Sequence, residues 1–167
     1  MPHNNARHET EHLYADPPRA EAGRRLSDAI LRLRRSEQLQ AERAVRASGL
    51  SSVDLTALRF VVQGHRDGHD LGPRDLIRML DTSSANVTNI VERLVVRGFL
   101  TRVQHPTDRR ALHLVPTPEA IDAVDDAFGA HHAAVVSVID RLPAADAEAA
   151  ARVIADIADA LEVLEKV

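Results

Sequence analysis

Ser83, Ser84, Ala85, Asn86, Thr88 and Asn89 form a run of short, mostly polar, uncharged side chains. On one face of a helix, such residues can approach DNA base edges closely, and an Asn amide can bond adenine through two hydrogen bonds at once. Solvated helix faces ordinarily carry Glu and Lys, whereas this one has no acid before Glu92. Ser83 and Ser84, at the start of the helix, are placed to bond phosphates. Arg93, a basic residue of the same helix, joins this contact set. A second cluster, Asp108, Arg109 and Arg110, lies in the turn HPTDRR. An Arg at the tip of a short ribbon can enter a narrow minor groove, where the potential is most negative. Arg109 is the candidate for the groove and Arg110 for a salt bridge to Asp108 or for a phosphate.

The histidines carry the competing chemistry. His65 and His69 stand four apart, a metal-binding spacing on a helix, but Gly64, Gly68 and Gly72 make the stretch QGHRDGHDLG a loop. His131 and His132 are adjacent in a later helix. A metal-responsive or interaction protein using these positions is the alternative reading. The sequence holds no HExxH, no phosphate-cradling glycine loop and no GxSxG, so no catalytic residue, metal site or cofactor is expected.

Composition narrows the field further. The chain has 167 residues with 44% hydrophobic content, enough for a packed core. Cys is absent, which excludes a disulfide scaffold and a thiolate site. Aromatics make up 2%, so no base-stacking platform is expected. No apolar run approaches membrane-spanning length, and the polar N-terminus is unlike a signal peptide; a soluble, cytoplasmic protein with no membrane partner is expected. The net charge of -4 conceals a division. Residues 19–46 carry eight Arg against four acids, and 71–116 carry seven Arg against four acids. Residues 117–167 carry eleven acids against three bases. An anionic partner would therefore meet the first two-thirds of the chain.

Periodicity then places these residues on elements. Residues 1–18, with Pro17-Pro18, read as a flexible tail. Leu26, Ile30 and Leu33 mark a long helix over 22–47. Ser51 and Asp54 resemble a capping box opening a second helix, which Gly64 is expected to end. Gly72-Pro73 opens a short third helix. Ser83 caps a fourth over 84–97, whose Val87, Ile90, Val91 and Leu94 make one buried stripe, and Gly98 stops it. Residues 99–103 and 111–115 flank the HPTDRR turn as a β-hairpin. A fifth helix starts at Thr117-Pro118-Glu119 and a last one spans 143–166. The fold class is mainly α with a small β-wing: a winged helix-turn-helix lobe over 50–116, with a helical dimerisation region from 19–48 and 117–167. The long terminal helices exceed what a small lobe can cover, so a C2 homodimer is expected, with two reading helices about one DNA turn apart on a palindromic duplex.

From Leu50 to about Leu142 the sequence resembles the MarR-type regulators. The matching pieces are Val87-Thr88-Asn89, Val91-Glu92-Arg93-Leu94, Arg97-Gly98-Phe99-Leu100, Asp108-Arg109-Arg110 and Thr117-Pro118-Glu119. The resemblance implies a homodimeric DNA-binding transcription regulator, usually a repressor. It also implies that the first and last two helices form the dimer interface, with small molecules binding between it and the reading lobe. His105 stands where the family often has a charged residue, and Ala85-Asn86 where Ser and Thr are common. An anionic or aromatic effector would then sit near Arg46, Leu58, Phe60, His65, Phe128 and His132, where Arg46 attracts an anion and His132 can couple binding to acidity.

Overall fold

The computed structural model describes residues 16–104 and 112–164. The chain divides into two units, residues 1–127 and 128–167. In chain order the elements are α1 (Glu21–Ser48), α2 (Ser52–Arg66), α3 (Pro73–Met79), α4 (Ser84–Val96), β1 (Leu100–Gln104), β2 (Leu112–Pro116), α5 (Pro118–Ile139) and α6 (Ala144–Leu164). The fold is mainly helical with one antiparallel hairpin, as expected.

The first unit is built around one apolar centre. Leu55, Leu58, Val61 and Val62 of α2 are buried, and so are Leu76 of α3 and Val87, Ile90, Val91 and Leu94 of α4. Leu100, Leu114 and, from the start of α5, Ala120 and Val124 complete it. The fourfold stripe on α4 recurs at three and four residues, which is why one side of that helix is dry and the other wet. The hairpin pairs Leu100 with Pro116 and Gln104 with Leu112. Leu114 N–H also donates to Leu71 O at 2.8 Å, tying β2 to the segment ahead of α3.

Local chemistry sets the boundaries. Ser51 caps α2, its Oγ accepting from Asp54 N–H at 3.2 Å. The reciprocal half of the expected box does not form, because the Asp54 carboxylate turns instead toward α4. Pro73 opens α3, and Asp75 accepts from Gly72 N–H at 2.8 Å. That backbone hydrogen bond is the main reason the Asp75 carboxyl titrates below its usual range. Asp81 takes a left-handed conformation, φ 45°, in the turn to α4, a region Asp tolerates better than most residues. Gly98, φ 76°, ends α4 where a side chain would be strained.

One boundary differs from expectation. α2 runs through Gly64 to Arg66, so Gly64 is no helix stop. Its lack of a side chain serves close approach instead. A Cβ there would lie 2.7 Å from His69 O and 2.9 Å from Leu71 Cγ. Alanine ordinarily gains up to about 1 kcal/mol over glycine inside a helix. Gly64→Ala should nevertheless destabilise, by about 1–3 kcal/mol, since the clash is with backbone that cannot swing away. Urea melts check this, and a stabilised variant would contradict the close-approach account.

The second unit holds the end of α5 and all of α6. Ile154, Leu161 and Leu164 of α6 are 60%, 56% and 69% exposed, and none of the described α6 residues is buried. On α1, Leu26 and Leu33 are also exposed. Among the described residues no helix is long and apolar enough to cross a membrane.

Candidate nucleic-acid interface

The buried stripe of α4 determines what its other side presents. Ser84, Ala85, Asn86, Thr88 and Asn89 are all exposed, as is the capping residue Ser83. Their side chains are not equivalent. Ser83 Oγ accepts from Asn86 N–H at 3.2 Å, so its acceptor serves the cap while its hydroxyl hydrogen remains to donate. Asn86 Nδ2 donates to Thr82 Oγ1 at 2.9 Å, fixing that amide against the turn. Thr88 Oγ1 donates to Ser84 O at 2.9 Å, which leaves its methyl and an oxygen lone pair outward. Asn89 makes no side-chain hydrogen bond recorded among the described residues, so its whole amide is available to a ligand. Ala85, with no polar group, lies one turn before Asn89 and suits an apolar contact such as a thymine methyl.

Arg93 has a partner that periodicity alone does not reveal. Its Nε donates to Asp54 Oδ2 at 3.0 Å and its Nη2 to Asp54 Oδ1 at 2.5 Å. Asp54 is 5% exposed, while the Arg93 side chain is 48% exposed. The hydrogen bond to this carboxylate holds the Arg93 pKa above its ordinary value. The signal for the pair was present: an acid at 54 lies in phase with Leu58 and Val61, and an acid on an apolar stripe needs a partner. The neighbouring Glu92 accepts from Arg102 Nη2 of β1 at 2.8 Å. Consecutive residues of α4 are thus tied to two different elements. Arg97 Nη1 donates to Gly49 O at 2.8 Å, and its guanidinium lies over the Phe99 ring. Thr117 Oγ1 donates to Gly98 O at 2.8 Å, anchoring the start of α5 beside the end of α4.

Asp108, Arg109 and Arg110 lie outside the described residues, as does His105. The residues assigned to an effector divide between the two units. Arg46 pairs with Glu42 at 3.7 Å. Leu58 is fully buried and belongs to the core. Phe60 is half-buried beneath the Arg59 guanidinium. His65 lies in the last turn of α2, not in the loop, and its Nδ1 stands 2.7 Å from Asp70 Oδ1. Arg66 Nη2 donates to both carboxylate oxygens of Asp125 of α5, at 2.8 and 2.7 Å. In the second unit Phe128 is half-buried and His132 exposed. Among the described residues no three His, Asp or Glu side chains gather as metal ligands would.

Residues 48–111 match the family model described as MarR family. The transcriptional repressor MprA of Escherichia coli is 27% identical over 88 residues, 53% of this chain and 49% of its own. The match thus spans about half the length of that relative. Among solved structures, MepR of Staphylococcus aureus bound to ethidium bromide superposes with a TM-score of 0.61 at 14% identity, covering 81% of this chain and 95% of its own. MepR in complex with DNA gives 0.55 at 14% identity, over 77% and 94%. The YusO protein from Bacillus subtilis gives 0.55 at 19% identity, over 84% and 99%. At these identities the structural likeness is one of fold.

Proposed function

We propose that the chain is a MarR-family transcription regulator, acting as a repressor that binds a palindromic duplex as a homodimer and releases it to a small ligand. The observation that carries this reading is the outer face of α4. It is acid-free from Ser84 to Val91, built of short side chains, and centred on an Asn89 amide with no recorded partner. A helix held at Glu92 and Arg93 and bare at Asn89 is equipped to enter a major groove. The fold likeness to MepR in its DNA complex supports the DNA reading. The fold likeness to MepR bound to ethidium bromide, an aromatic cation, supports a response to a small aromatic ligand; the anionic alternative rests on the Arg46 guanidinium alone. The uncovered apolar positions on α1 and on α6 support a second copy of the chain as partner. Arg109 and Arg110 of the turn would add minor-groove and phosphate contacts, with Asp108 holding one of them.

The decisive experiment is a gel shift on the DNA upstream of the protein's own gene, set against random duplex. Asn89→Ala should lose about 1–3 kcal/mol of discrimination at one base pair per half-site, with little loss on random DNA. Equal weakening on operator and random duplex would place Asn89 outside base reading.

A further inference from the structure

Arg93 is a half-exposed cation whose binding edge is only partly used. Asp54 takes Nε and Nη2 in a two-bond fork, and Nη1 carries no hydrogen bond recorded among the described residues. The carboxylate that holds it is almost wholly buried. A guanidinium held in this way has lost its rotamer freedom before any ligand arrives, so a further hydrogen bond from it costs less ordering. The pair also spans α2 and α4, which places a fixed cation beside the exposed face that carries Asn86 and Asn89. On an α-helix, Asn86 and Arg93 are seven residues apart and so share one flank of that face.

We propose that Asp54 is a positioning residue for DNA-backbone binding: it presets Arg93 so that Nη1 meets a phosphate oxygen flanking the groove. This rests on the DNA-binding reading above. Asp54 itself touches no DNA, and its charge alone would oppose binding. That opposition makes the idea testable by sign.

The test measures affinity of the full chain for operator and random duplex across a salt series, with melting temperature recorded in parallel. Asp54→Asn removes a negative charge yet breaks the fork. If Asp54 positions Arg93, binding weakens about tenfold on operator and random DNA alike, since a phosphate contact carries no sequence information. The slope of log affinity against log salt also becomes shallower, by up to about 0.9 per protomer. Arg93→Lys keeps the charge but cannot form the fork, and should reproduce the weakening. If Asp54 is only structural, Asp54→Asn lowers the melting temperature while affinity below the melt is unchanged or higher, and the proposal is overturned. A loss confined to operator DNA would mean a displaced α4 and would overturn it too. Should Asp54→Asn fail to fold, Arg93→Lys decides alone: unchanged affinity on both duplexes overturns the proposal. A parent protein that binds no duplex defeats the regulator reading first, an outcome distinct from a parent that binds while its variants keep parental affinity and slope.

Discussion

Leu94→Ala should cost about 2–5 kcal/mol of stability, a large part of the ~5–15 kcal/mol that holds a typical domain folded. Leu94 is fully buried near the end of α4, a helix that packs on α2, α3 and β1. Removing its branched end leaves a void that neither neighbouring helix can fill, because α4 is tied to α2 through Arg93 and to β1 through Glu92. The rigidity that aims the helix also prevents it from collapsing onto a cavity. A urea titration should show a lower midpoint at an unchanged slope. A loss under about 1 kcal/mol would mean that α4 relaxes more freely than its two ion pairs imply.

Glu substitutions at Ile157 and Leu161 should have the second large effect, on assembly. Both residues are exposed on α6 of the single chain, at 37% and 56%. If a second copy covers them, Ile157→Glu with Leu161→Glu buries two charges and separates the protomers. Operator binding would then fall by about 100-fold or more, because the second half-site contact is no longer delivered at high effective concentration. Light scattering should report a dimer for the parent and a monomer for the variant. If the two chains run at the same mass and melt within about 0.5 kcal/mol of each other, the α6 stripe faces solvent.

Much of this arrangement was legible in the sequence because its signals are local. The periodicity of Val87, Ile90, Val91 and Leu94 located both sides of α4, and Ser83 and Gly98 located its ends within a residue or two. The hairpin followed from two β-prone runs about a turn. Gly64 was misread because a helical glycine and a helix-ending glycine look alike in sequence; only the approach of His69 and Leu71 distinguishes them. Arg93 joined the DNA-contact set with no partner named, because Asp54 lies 39 residues away, a separation that only the packing of α4 on α2 closes. The grouping of Arg46, Phe60 and His65 rested on the family resemblance and not on a local signal, and their partners, Glu42, Arg59 and Asp70, are all near neighbours in sequence.

The hydrogen bond from Leu114 to Leu71 has a bearing on how the molecule folds. The chain between those two residues contains α3, α4 and β1, so this one bond closes a loop around all three elements. Closing such a loop costs chain entropy that a lone hydrogen bond cannot offset. The hairpin therefore gains little by forming early; it becomes stable only once α3 and α4 have packed and brought Leu71 to its edge. Folding of the lobe is then expected to be one concerted, comparatively late event rather than growth outward from the hairpin. The Leu114 amide should exchange its hydrogen only as fast as the amides of Ile90 and Leu94, through complete opening of the lobe.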